Sequence, residues 1–513
     1  MAVALHSSLA MSATPAQARI SSERGLSARV DHFIAEPRFA SAAWGIAVVS
    51  LDSGETVYAH DAHKLLTPAS TAKLFTAALA LDTFADEHRV ATTLFATAKH
   101  GRDGELRGDV VLVGYGDPSL GVDKRVSWAD TLAIELRKSG VTLVRGDLIA
   151  DATWFAAPLF GNGWEAADLQ SWFGAPASAL SVDENVVRIE ISPAAQPGAR
   201  ARVRFDPPAS APMLVNGIRT LASRTITDIS LIRRPGESTL HAFGTIARDA
   251  GVQSYRIALD DPARVAGEQL RAALLRQGVT VAGKVRSVYW PDVDDALDSA
   301  KLERIATIWS PSITEIVTRG MKISQNLYMH NLLLLVGADA HANDLAAGTD
   351  TSRFRSSESR GIDALQRFLP SIGVSPDEVL IEDGAGLSRR NLVSAYAMVR
   401  LLVHHGSAPE HSAFRTALPE AGVDGSLTGR LRGSPAQGRV HAKTGSMRFT
   451  YSLAGYALSA SNERLAFAIL LNNYDAPAGS ARASAELDAI TLMLVADTKA
   501  TSRPAPAATR KTR

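Results

Sequence analysis

The sequence predicts an α/β (α+β) domain interrupted by a nested pair of inserted, largely β domains. Three observations carry that reading. A strand-like hairpin runs directly into an apolar-periodic stretch that opens with Ser70 and Lys73, three residues apart. Two further polar triplets, Ser324-Gln325-Asn326 and Lys443-Thr444-Gly445, stand far downstream on a helix-like and a strand-like stretch. Between them, residues 89–302 change character to short strands and turns, so the pieces of one site are separated by chain that must loop out. At 513 residues the chain exceeds the size at which a single core keeps growing, and two or three domains are expected.

Taken in order, residues 44–51 (WGIAVVSL) read as a buried strand, Asp52-Ser53-Gly54-Glu55 as a turn and Thr56–Ala59 as the returning strand. The helix carrying Ser70 follows, with Pro68 suited to its entry. This places Ser70 near a sheet edge, where a substrate backbone can add as a strand. Strands are expected at 92–98 and 109–113, then the turn Gly114–Pro118. The stretches LAIELRKSGVTL and LRAALLRQGVTV share a helix–Gly–Val–Thr–strand design. They read as two similar units of one inserted domain, or as convergent helix-to-strand punctuation. Between them 186–191, 201–205 and 225–232 are strand-like. Helices are expected at 309–319, 323–336, 363–368 and 394–404, with a flexible polar loop at 338–360. Strands at 452–458 and 465–471 and a helix at 483–496 close the sheet, and the tail 501–513 reads as disordered. The domain expectation is therefore 20–88 with 303–498 (catalytic), 89–151 with 251–302 (inserted), 152–250 (nested) and 499–513 (tail).

A serine hydroxyl is a weak nucleophile that needs a proton acceptor. One helical turn places Lys73 on the same face as Ser70. A lysine can serve as the acceptor only if burial or a second cation lowers its pKa from about 10.4. Lys443 facing the same pocket would supply such a cation. On its own the Ser70–Lys73 spacing equally describes a solvated surface pair, and the ordered triplets give it meaning.

Bulk composition narrows the rest. A formal net charge of +1 argues against a dedicated polyanion binder, so no nucleic-acid partner is expected. Zero cysteines removes disulfides, thiol nucleophiles and thiolate metal sites. His404, His405 and His411 lack ligand-like spacing, so no metal or cofactor is implied. No apolar run is long enough to span a bilayer. Residues 1–18 are small and apolar and end in Ala16-Gln17-Ala18, an A-x-A cleavage pattern without a positive n-region. They read as a truncated export signal, hence a periplasmic or otherwise extracytoplasmic protein. A plain disordered N-terminus is the other reading.

The ordered set S-x-x-K, S-x-N and K-T-G marks penicillin-binding proteins and class A β-lactamases, with Gln325 here in place of the usual Asp. Together with Gly116–Leu120, the block GWEAADLQSWFGAPASALSVDEN, the block Asp383–Asn391 (DGAGLSRRN) and Leu453–Tyr456, the chain resembles the penicillin-binding protein 4 type of D-alanyl-D-alanine carboxypeptidases/endopeptidases, the class C low-molecular-mass penicillin-binding proteins. The likeness covers residues 30–495. It implies a serine β-lactamase/transpeptidase-like domain holding a second domain, with a third nested inside that. Ser70 would be the acylated nucleophile and Lys73 its proton acceptor. Ser324 would relay protons to the leaving amine, and Asn326 would hold the substrate amide. Lys443 would supply positive charge, and Thr444 would bond the substrate carboxylate. The amides of Ser70 and Ser446, beside Gly445, would form the oxyanion hole. The implied partners are peptidoglycan stem peptides and β-lactam antibiotics; oligomeric state is not legible. Where the family often carries a second Trp and an Asp, this chain has Ala166 and Ala167. Asp168 remains, either to pair with a side-chain ammonium of the peptide or as a surface carboxylate. Arg389 and Arg390 follow a Gly-rich turn, where either one lines the site or both pack the turn. Rival readings are a β-lactamase, which would need a deacylation motif not visible here, a silent cell-wall scaffold, and an esterase on the same fold.

Overall fold

A computed structural model describes residues 25–123, 125, 127–234, 236–292, 297, 300–348, 354–407, 412–477 and 482–497. The expected signal segment, His411 and the 501–513 tail lie outside these residues. The fold is mixed α/β. Its central sheet is five-stranded and antiparallel, in the order Thr56–His60, Ala43–Ser50, Arg464–Asn472, Thr450–Leu458, Val440–Met447. Strand alternation sends Ile46, Val48, Phe467 and Ile469 to one face, against helices Leu26–Ile34 and Ser484–Val495. Ala47, Val49, Ala466 and Ala468 face the other way. There the helices Lys73–Thr83, Asn326–Ala346 and Ala395–Ser407 bury their apolar faces.

A second five-stranded sheet runs Val285–Val288, Leu148–Asp151, Val110–Gly114, Arg89–Ala96, Glu303–Ser312. The two helix–strand units stand side by side, pairing in this sheet and in a small three-stranded one beyond it (Thr280–Val281, Leu143–Val144, Glu105–Leu106). Val285 pairs with Leu148 and Thr280 with Leu143, both in parallel, while helix Trp128–Lys138 packs on helix Pro262–Arg276. Local chemistry starts both helices. Ser127 accepts the amide of Asp130, and Asp261 accepts the amide of Arg264 with Pro262 in the first turn. Residues between them form a three-stranded sheet (Gln253–Ala258, Val186–Ser192, Arg202–Asp206) and a four-stranded one around Thr239–Ala247.

Several expectations are corrected. Residues 309–312 continue a strand, Glu303–Ser312, which pairs with Arg89–Ala96; the helix begins only at Ile313, where Ser312 and Glu315 form a capping box. Residues 303–312 thus pair into the second sheet. Of the expected 338–360 loop, 349–353 lie outside the described residues; in the rest, one helix continues to Ala346 and the next starts at Ser357, capped by Ser356. Polar, small residues there mark a helix surface. The hairpin strand Thr56–His60 lies at the sheet edge opposite the Ser70 turn, which packs on Val440–Met447 and Thr450–Leu458. Pairing with the C-terminal strands, invisible to local pattern, decides this.

Candidate active site

The nucleophile candidate sits on a tight turn. Ala69–Ala72 is a 3-10 turn entered through Ala69 at φ +49°, and the α-helix begins at Lys73. The Pro68 carbonyl ties the turn to the sheet, accepting from Thr71 Oγ1 (2.7 Å) and Ser452 Oγ (2.5 Å). Gly445 permits this approach. A Cβ there would lie 2.1 Å from Ser452 Oγ, 2.7 Å from the Pro68 carbonyl and 3.1 Å from the Ser70 amide. Gly386 does the same from the other side, since a Cβ would lie 2.2 Å from the Ala69 carbonyl.

Lys73 is fully buried. Its Nζ lies 2.8 Å from Ser70 Oγ and 2.7 Å from Asn326 Oδ1, and it also donates to the Ala385 carbonyl. Burial pushes this amine down to about 7, against the pull of the Asp383 carboxylate. Holding it there costs roughly 4 to 5 kcal/mol at about 1.36 kcal/mol per pH unit. Lys443, also fully buried, lies 2.8 Å from Ser324 Oγ and 2.8 Å from the Thr444 carbonyl. Burial, then the charge of Lys73, hold it well below the ordinary lysine value.

Ser324 does not lie inside a helix as expected, while Asn326 opens one. The helix starts at Asn326, with Gln325 as its N-cap accepting the amide of Leu327. Ser324, at φ +57°, bridges from the helix Ile313–Lys322. That backbone turn presents Ser324 to Lys443 and Asn326 to Lys73 from one short segment. Thr444 Oγ1 meets Ser426 Oγ at 2.7 Å, while Ser446 is exposed at the edge strand beyond Gly445.

Asp168 occupies a different place. It lies on the segment 161–174, whose Trp164 and Phe173 do bond to the cluster. Among the described residues no hydrogen bond joins its carboxylate to Ser70, Lys73 or Lys443. Burial and then Glu165 raise its pKa, with Arg389 opposing. Arg389 ion-pairs with Glu165, and Arg390 reaches Asn162 at 3.3 Å. Type-based reading missed Ser426 and the carbonyls of Ala385 and Phe173. Backbone acceptors have no residue-type signature, and Ser426 has no motif around it.

The chemistry available is a hydroxyl touching a buried amine, with a second hydroxyl–amine pair beside it. Comparisons with known proteins agree. Residues 26–492 match the D-Ala-D-Ala carboxypeptidase 3 (S13) family. The D-alanyl-D-alanine carboxypeptidase of Actinomadura sp. (strain R39) is 34% identical, covering 91% of this chain and 85% of that protein. The D-alanyl-D-alanine carboxypeptidase DacB of Haemophilus influenzae is 26% identical, covering 84% and 85%. The crystal structure of penicillin-binding protein 4 from Haemophilus influenzae shares the fold with a TM-score of 0.76 at 23% identity, covering 90% of this chain and 97% of that one.

Proposed function

The chain belongs to the D-Ala-D-Ala carboxypeptidase 3 (S13) family, and from that membership we propose how its residues divide the work. The protein is a serine-type D-Ala-D-Ala carboxypeptidase. Ser70 Oγ attacks the carbonyl of the penultimate D-Ala while neutral Lys73 takes its proton. The amides of Ser70 and Ser446 hold the developing oxyanion. The terminal carboxylate lies at Thr444, with Ser426 beside it, in the field of Lys443. Ser324 passes a proton to the leaving D-Ala amine, and Asn326 holds the acyl-side amide. Water then cleaves the ester by the reverse proton path. Asp168 and the Glu165–Arg389 pair face the side chain of the residue before D-Ala.

The same groups suit D-alanyl cross-links, an endopeptidase activity, and penicillins, which present a carbonyl and a carboxylate in like arrangement and leave Ser70 acylated. Peptidoglycan stem peptides as substrate place the enzyme outside the cytoplasm. The proposed chain division keeps the catalytic, inserted and nested segments and counts 303–312 with the inserted sheet, because it pairs with Arg89–Ala96. The observation that carries this reading is the 2.8 Å contact between Ser70 Oγ and a fully buried Lys73. Mass spectrometry after exposure to a fluorescent penicillin should show one adduct, on Ser70. Ser70→Ala should show none and release no D-Ala from muropeptides. A labelled Ser70→Ala protein would overturn the assignment.

A further inference from the structure

A lysine acting as base must aim its lone pair at the serine proton, and the partners around Lys73 dictate that aim. A neutral amine has two N–H donors and one lone pair. Of its three partners, Asn326 Oδ1 and the Ala385 carbonyl can only accept, while Ser70 Oγ carries a proton. The two acceptors therefore take the two N–H groups, and the lone pair faces Ser70.

Both acceptors are fixed by one segment of the inserted half. At its far end the Phe173 carbonyl accepts from Asn326 Nδ2 at 2.7 Å, which orients the amide so that Oδ1 faces Lys73. At its near end Trp164 Nε1 donates to Asp383 Oδ2 at 2.8 Å. Asp383 is fully buried and gathers its own turn, accepting from Asn391 Nδ2 (2.6 Å) and the amides of Gly386 (3.0 Å) and Leu387 (3.1 Å). That turn is clamped to the nucleophile helix by Thr76 Oγ1 on the Gly384 carbonyl (2.9 Å) and by Lys73 on the Ala385 carbonyl.

We propose that Trp164 is a positioning residue for proton abstraction: through Asp383 it holds the Ala385 carbonyl that, with Asn326, points the Lys73 lone pair at Ser70. The segment 164–173 thereby ties the side-chain wall of the pocket to the base. This rests on the serine acyl-transfer reading above.

Among the described residues, these charged and titratable groups surround the pair. Lys73 faces Lys443 on the strand Val440–Met447 and Asp383 on the turn. Asp383 faces His330 on the helix Asn326–Ala346, whose Nδ1 accepts the Gly384 amide at 3.3 Å, with Glu358 on the helix Ser357–Ser371 and Glu382 nearby. Burial pushes His330 down to about 4, so it stays neutral, and pushes Glu358 up to about 7, so Glu358 changes charge in the working range.

The test is stopped-flow acylation of the full chain by a fluorescent penicillin across about pH 5 to 9. Trp164→Phe keeps a ring and removes only the N–H. It leaves the Asp383 charge less compensated, so the acid limb should move to higher pH and the plateau rate fall about tenfold. Asp383→Asn removes the charge, so the limb should move to lower pH, again with a reduced plateau. Opposite shifts distinguish positioning from a general loss of stability, and the Trp164→Phe shift should persist in a Glu358→Gln background. A wild-type rate and limb in Trp164→Phe, shifts in the same direction, or a shift abolished by Glu358→Gln would overturn the inference. Should Asp383→Asn not fold, the first variant decides alone. Wild-type labelling at Ser70 decides the underlying reading separately.

Discussion

Lys73 and Lys443 are both wholly buried lysines, and the protein supports them differently. Lys73 rises from the first turn of a helix and is held by two pure acceptors from two other segments, with the Asp383 carboxylate acting on it. Lys443 lies on an edge strand, held by Ser324 and by the carbonyl of its own neighbour, and the charge it feels is that of Lys73. Burial depresses both, yet among the described residues a carboxylate, Asp383, opposes the shift at Lys73 and none does so at Lys443. On the proposal above, Lys443 would meet one when a substrate carboxylate arrives beside Thr444 and Ser426. On the same proposal, identical side chains take different roles: Lys73 gives up its proton to serve as base, and Lys443 supplies positive charge beside the carboxylate.

The largest way to break this comparison is to move the edge strand. Gly445→Ala places a Cβ against Ser452, Pro68 and the Ser70 amide. Two of those contacts are backbone, so the strand must shift. Penicillin acylation should fall about a thousandfold, the scale of a lost oxyanion donor. Wild-type labelling by this variant would show that the strand edge forms no part of the site.

Next is pH. The folded pKa of Lys73 lies below the ordinary value, so its proton leaves as pH rises through about 7. Acylation should rise about tenfold per unit up to that point and then level off. A limb above pH 9, followed by rapid mixing, would place the base elsewhere. The coupled amines share this titration, so the limb belongs to the pair.

The smallest effect is at the carboxylate corner. Ser426→Ala removes a hydroxyl 2.7 Å from Thr444 Oγ1. KM for a D-Ala-D-Ala peptide should rise a few-fold with kcat nearly unchanged. A large fall in kcat instead would place Ser426 in proton transfer.

Much of this site was legible because its chemistry is written in side-chain types at fixed spacing: Ser70 with Lys73, Ser324 with Asn326, Lys443 with Thr444. The interrupted sheet followed from where those pieces stand. Boundaries were less legible where tertiary contacts override local pattern. Trp309 looked helical because the apolar periodicity of Ile313–Lys322 begins to show there, yet pairing with Arg89–Ala96 keeps it extended. Ser324 looked helical between two helices, and its φ of +57° has no sequence marker. Trp164 and Asp383 were visible as members of recurring blocks, but their hydrogen bond joins residues 219 apart in the chain and only the fold brings them together.

The central claim is that Lys73 is the neutral base and Lys443 the charge beside the carboxylate. It is tested most directly by the second-order rate of Ser70 acylation in Lys73→Arg and Lys443→Arg, measured side by side. Arginine stays protonated and cannot accept the serine proton. Lys73→Arg should therefore be inert at every pH, while Lys443→Arg keeps a reduced but measurable rate. Robust acylation by Lys73→Arg together with an inert Lys443→Arg would contradict the account and reverse the two roles.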